Sequence, residues 1–270
     1  MISFITIGRD DDYGGNFLNS LHTSISKNIE AIEKFDIPYE YLVVEWCPIR
    51  DYLVYNDKFK DLFNSKNLVD IIIKPDVSVK ENLNPKTFYE YFAKNVGIRI
   101  SKYDVLVILN ADIVLPEETI KVIVDLVKNN FDKKHYYKLL YRVQADDDLK
   151  IIKSESVHRP KSPDAVIAGY FAGDFLLIDK HTAINYGGGY DETNPGHRTI
   201  SQTGMDGEML WNLYKKGITL QFLDANYLHI EHKRPAHDDV YNQDGYTNKP
   251  NWGFIDYPKK IISEKLIEIG

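Results

Sequence analysis

The apolar run Val105-Leu106-Val107-Ile108-Leu109 breaks off in Asn110-Ala111-Asp112 before resuming as Ile113-Val114-Leu115-Pro116. A short continuous hydrophobic run reads as a central strand covered on both faces, and a carboxylate just past its C-terminal end sits where open α/β sheets bind ligands. Asp112 is therefore placed to hold something cationic; the competing reading is a cap for the helix that follows. Farther on, Tyr227-Leu228-His229-Ile230-Glu231-His232-Lys233-Arg234 alternates apolar and polar residues like a strand, which puts His229, Glu231 and Lys233 on one face and His232 on the other. Asp206 and Glu208 stand two apart at the start of a helical pattern, where acids also stabilise the helix dipole.

Positioning these groups requires a scaffold, and the chain before them alternates regularly. Strands are predicted at Ile2 to Ile7, Tyr41 to Trp46, Leu68 to Ile73 and from Val105, and helices at Phe17 to Phe35, Asp57 to Asn64, Pro85 to Ser101 and after Pro116. Pro116-Glu117-Glu118 offers a proline at the first turn and acids at the positive end. This alternation predicts an α/β fold with a central, mostly parallel sheet flanked by helices on both faces. The second half is less regular. Tyr136 to Gln144 and Phe175 to Ile178 read as strands, residues 145–163 as a charged, mobile excursion, and Met205 to Lys216 as a helix closed by Gly217. Residues 235–257 are polar, aromatic and without periodicity, the pattern of a lid or of a tail wrapped on the core.

With 270 residues, 43% of them apolar and 13% aromatic, the chain is long enough to bury one large core. Its 33 Lys and Arg against 40 Asp and Glu leave a net charge of -7, which argues against a nucleic-acid or anionic-membrane surface. Cys47 is the single cysteine, so neither an intrachain disulfide nor a cysteine-built metal site can form. The Ile2 to Ile7 run is too short for a signal peptide, and nothing approaches the roughly 20 apolar residues of a membrane span. The expectation is a soluble, cytoplasmic protein with no transmembrane segment.

Four short motifs then occur in order: Ala93-Lys94-Asn95-Val96-Gly97, Asn110-Ala111-Asp112, Gly187-Gly188-Gly189-Tyr190-Asp191-Glu192 and Gly204-Met205-Asp206-Gly207-Glu208. Their order and spacing resembles that of the GT-A glycosyltransferases, nearest to the inverting family 2-like branch, over most of residues 1–232. The resemblance implies a single GT-A domain over 1–232, with a nucleotide-binding half at 1–112 and an acceptor-binding half at 113–232, followed by an extension or lid at 233–270. It implies metal-dependent, inverting transfer of a sugar from a nucleoside-diphosphate donor, uridine being the expected base, to a hydroxyl of a saccharide or glycoconjugate.

The family's acidic motif reads Asp-x-Asp, and its last aspartate coordinates the Mn²⁺ or Mg²⁺ that bridges the donor diphosphate. Here Asn110 replaces the first acid with an amide that can still contact ribose, Ala111 follows, and Asp112 keeps the metal role. A histidine after the last core strand is a further ligand in related enzymes, a place filled by His232 or His229, and neutral imidazole suits Mn²⁺ better than Mg²⁺. The resemblance lays Gly8, Arg9, Asp10 and Asp11 over the nucleotide, brings Glu45 to base or ribose, and sets Asn95 against diphosphate and ribose with Lys94 or Arg99 as cationic partners. Each of these positions also reads as an ordinary solvated or structural one. Gly173 and Asp174 would shape the sugar pocket, or form a turn before a strand. Asp206 matches the base that takes the acceptor proton, with Glu208 able to exchange roles and Met205 standing where a glutamate is usual.

Two other readings remain. A nucleotidyltransferase would share the sheet and the carboxylate but calls for a Gly-rich basic loop after the first strand, and Gly8-Arg9-Asp10-Asp11-Asp12 is acidic. A catalytically inactive carbohydrate-binding protein of the same fold is kept open by Asn110 and Met205.

Overall fold

The computed structural model describes residues 1–10, 15–64, 67–156, 173–193, 198–199, 204–232, 241–242 and 248–270, with the backbone alone at 155–156, 198–199, 204–208 and 241–242. The strands are β1 (Ile2–Gly8), β2 (Tyr39–Trp46), β3 (Leu68–Ile73), β4 (Val105–Leu109), β5 (Ile113–Val114), β6 (His135–Ala145), β7 (Ile151–Ser156), β8 (Phe175–Asp179), β9 (Arg198–Thr199), β10 (Thr219–Ile230), β11 (Tyr241–Asn242), β12 (Lys259–Ser263) and β13 (Leu266–Ile269). Between them run α1 (Phe17–Ile32), α2 (Lys60–Phe63), α3 (Pro75–Lys80), α4 (Glu90–Ile100) and α5 (Glu117–Asn129), with a later helix at Gly204–Lys215.

The main sheet has the order β12-β13-β3-β2-β1-β4-β8-β6-β10-β5, with β7 paired to β6. Strands β13, β3, β2, β1 and β4 are mutually parallel, β8 is antiparallel to both its neighbours, and β6 and β10 are again parallel. The parallel strands read as unbroken apolar runs because they are buried on both faces. Along β1 the side chains alternate: Ile2 and Phe4 join the core beneath α1 and α5, while Ile5 and Ile7 join the core beneath α4 and the Gly204–Lys215 helix. Helix α4 sits close to β1 at Gly97, where a Cβ would run into Cγ2 of Ile5. No helix among the described residues is long and apolar enough to cross a membrane.

Three boundaries differ from expectation. Helix α4 begins at Glu90, not at Pro85, because residues 81–87 form turns such as Thr87 N donating to Asn84 O at 2.9 Å. The stretch expected as an excursion from residue 145 contains β7, which turns back at Asp146-Asp147-Asp148-Leu149 and pairs antiparallel with β6; Ile151 and Ile152 stay exposed, so the pattern carries no buried face to read. Residues 259–270 form a hairpin whose β13 extends the sheet beyond β3, while Trp252 and Phe254 pack into the core beneath α4.

Candidate metal centre

Two imidazoles converge on one carboxylate oxygen: His229 Nε2 lies 3.2 Å and His232 Nε2 2.9 Å from Asp112 Oδ2. One ligand atom from each of the three residues falls within 4.8 Å of the others. The placement follows from register. After β4 the chain makes a tight turn at Asn110, and the two-residue β5 pairs antiparallel with β10, setting Ile113 opposite His229 and Val114 opposite Leu228. Ile230 N donates to Asp112 O at 2.9 Å and closes the pair. So short a strand is held from the helix side as well: Ser24 Oγ and Asn28 Nδ2 of α1 both donate to Ile113 O, at 2.7 and 2.9 Å, and Leu115 N donates to Asn28 Oδ1.

His232 reaches the same carboxylate as His229, whereas strand alternation set the two on opposite faces. The strand stops at Ile230; Glu231 N donates to Ala145 O, and the chain turns His232 back over Asp112. Burial by itself would raise the Asp112 pKa, but the His232 hydrogen bond and the two imidazole charges more than offset it, and the net shift is downward. Burial lowers the pKa of His229, favouring the neutral ring that a cation requires. Asp112 Oδ1 and Asn110 Oδ1 are both buried without a hydrogen-bond partner. An orphaned buried acceptor costs about 1–3 kcal/mol, and one carboxylate with two imidazoles is a donor set suited to a divalent cation such as Mn²⁺. The residues fit such an ion.

Asp174 lies behind the centre, and its carboxylate is engaged by the protein itself: Asn110 Nδ2 at 3.2 Å on one oxygen, Tyr227 OH at 3.0 Å and Arg142 Nη1 at 3.4 Å on the other. It braces Asn110. Gly173 O accepts from the fully buried Lys94 Nζ at 3.3 Å, and Lys94 also pairs with Glu90 at 2.6 Å. Ala111 is half-buried at the turn.

The remaining expected residues divide by location. Gly8 ends β1 against Phe17; Arg9 is buried, donates to Pro85 O at 3.3 Å and lies over the Phe88 ring; Asp10 is held by Arg50 Nη1 at 3.1 and 3.2 Å. Asp11 lies outside the described residues. Glu45 is fully buried, accepts from Leu53 N at 2.6 Å and faces Asp70; burial first and the neighbouring carboxylate second push its pKa well upward, while burial raises that of Asp70 to about 7 against the lowering effect of its bond to Glu45. The side chain of Asn95 is taken up by Tyr190 and Glu192, and Arg99 stacks 3.7 Å over Trp252. Asp206 and Glu208 lie in the first turns of the Gly204–Lys215 helix, and their side chains are outside the described residues.

Residues that sequence reasoning missed stand on β6 and α1. Arg142 and Gln144 face Tyr227 and His229 across the parallel β6–β10 pair, and Gln144 Nε2 lies 3.2 Å from His229 Nδ1. The signal available was their shared two-residue spacing with Tyr227 and His229. Ser24 and Asn28 interrupt the buried stripe of α1 at helical spacing.

Glu192 yields a pH prediction. Its Oε1 accepts from Asn95 Nδ2 at 2.7 Å and Gly253 N at 2.9 Å, yet burial outweighs these bonds and pushes its pKa up to about 7 from 4.5. A carboxyl raised in the fold favours folding fully below its unfolded pKa, and that contribution fades as pH climbs from about 4.5 through 7. Glu192→Gln, which keeps the accepting oxygen, should flatten the loss of stability between pH 5 and 8 by roughly 1–3 kcal/mol. Urea unfolding of both proteins at the two pH values measures this; equal losses in the two would refute it.

Comparison with protein-family models and with curated proteins gives no match. Among solved structures the chain is similar to S. aureus TarS 1-349, at 15% identity and a TM-score of 0.52 over 85% of this chain and 60% of that one. The same protein in complex with UDP-GlcNAc gives 14% identity and a TM-score of 0.55, covering 87% and 60%. The mannosyltransferase PcManGT from Pyrobaculum calidifontis, in complex with GDP-Man and Mn2+, is 13% identical with a TM-score of 0.48, covering 84% and 56%. The chain thus spans about 60% of the length of the TarS structures it matches. The fold is of the GT-A type, an α/β layer architecture with a large central sheet.

Proposed function

We propose that this chain is a metal-dependent, inverting glycosyltransferase that moves a sugar from a nucleoside-diphosphate donor to a hydroxyl of a saccharide or glycoconjugate. The observation that carries the reading is the Asp112, His229, His232 cluster at the C-terminal edge of the sheet, with one Asp112 oxygen buried and unpartnered. A divalent ion held there would neutralise charge developing on the leaving diphosphate. A uridine donor is supported by the UDP-GlcNAc in the TarS complex.

The chain's own residues supply the rest. Asn110 is braced by Asp174 and keeps a buried Oδ1 without a hydrogen-bond partner, the acceptor this reading assigns to a ribose hydroxyl. Asp206, in the first turn of the Gly204–Lys215 helix, takes the proton from the acceptor hydroxyl as that oxygen attacks the anomeric carbon. The test is thermal stabilisation by a panel of nucleoside diphosphates and nucleotide sugars with and without Mn²⁺. A uridine nucleotide at about 100 times its dissociation constant should add about 2.7 kcal/mol, and only with Mn²⁺ present. No shift with any nucleotide would leave the fold without a donor site and favour the inactive carbohydrate-binding alternative.

A further inference from the structure

We propose that Gln144 is a positioning residue for the metal centre, with an amide that orients the His229 ring from behind. The inference rests on the divalent centre proposed above. Parallel register sets Gln144 directly opposite His229, and its Nε2 lies 3.2 Å from His229 Nδ1. His229 is only 4% exposed, so its ring orientation is governed by these contacts.

On its other side His229 Nε2 lies 3.2 Å from Asp112 Oδ2, so the ring spans the gap between the Gln144 amide and the carboxylate. A cation held by Nε2 would need that nitrogen's lone pair, which would leave the ring proton on Nδ1, facing Gln144. Nδ1–H would then need an acceptor, which the Gln144 amide can supply through Oε1. A carboxylate at this position would only accept, and an aliphatic side chain would do neither. Partners behind a metal-bound histidine set its tautomer and the basicity of its ligand nitrogen, and their loss weakens metal binding about 10- to 100-fold.

The experiment measures Mn²⁺ affinity by electron paramagnetic resonance of free ion, and imidazole ¹⁵N shifts in the cation-free protein, for wild type, Gln144→Leu and Gln144→Glu. Wild type should bind Mn²⁺. Gln144→Leu should bind it about 10- to 100-fold more weakly at unchanged melting temperature. Gln144→Glu should restore or tighten binding and show the Nδ1–H tautomer without any cation. Binding by Gln144→Leu within twofold of wild type, or an Nε2–H tautomer in Gln144→Glu, overturns the inference while leaving the centre standing. A wild type that binds no Mn²⁺ overturns the centre, and the inference with it.

Discussion

Asp112→Ala is expected to abolish specific Mn²⁺ binding and to lower sugar transfer by about 10³-fold, a loss of about 4 kcal/mol of transition-state stabilisation. Two imidazoles alone make a weak site for a hard divalent ion, and Asp112 is the carboxylate both of them face. The variant should still fold, because the bond that closes β10 onto this turn is made by Asp112 O and not by the side chain. Removing the carboxylate relieves the buried, unpartnered Oδ1 but breaks the His232 contact, so the melting temperature without metal should change only slightly. Calorimetric Mn²⁺ titration, melting curves and transfer assays on one preparation separate these effects. Unaltered Mn²⁺ affinity would remove Asp112 from the centre. Unaltered turnover despite lost affinity would make the ion dispensable.

Asp206→Asn should cost about 10²- to 10⁴-fold in turnover while leaving donor and Mn²⁺ affinity unchanged, the signature of a group that removes a proton in the transition state. The bland role for an acid in the first turn of the Gly204–Lys215 helix is to complement the helix dipole, worth only about 0.3–1 kcal/mol of stability. A large kinetic loss with a small change in melting temperature therefore separates the two. Glu208→Gln is the companion measurement. If it carries the loss instead, the carboxylates exchange roles; if neither variant falls by tenfold, the base lies elsewhere.

Much of the scaffold was legible because parallel, doubly covered strands advertise themselves as apolar runs. Strands β1, β2, β3 and β4 lie where those runs do, within a residue or two, and Asp112 was legible because it stands just past the end of an unbroken one. The assembly of the centre was harder to read. Where β10 ends is decided by a backbone bond from Glu231 to Ala145, which no side-chain pattern reports, so the relation of His232 to His229 could not be derived from alternation. Gln144 and Arg142 gain their meaning only from the β6–β10 register, and Asn28 only from a β5 too short to announce itself. Glu45 was legible as an acid at a strand end, but its partner Asp70 belongs to another strand, and pairing across a sheet leaves no mark in local sequence.

The position of β13 bears on how the molecule reaches this state. Strand β3 finds its outer neighbour in Leu266–Ile269, so this edge closes a loop spanning most of the chain. Such long-range parallel pairings form late, since the entropy of closing the loop is lost before any contact repays it. Until then Ile71, Ile72 and Ile73 line an open, apolar stretch of edge, the kind that templates pairing with another molecule. Docking of this hairpin covers that edge, and refolding yield should depend on protein concentration most steeply in the interval before β13 docks.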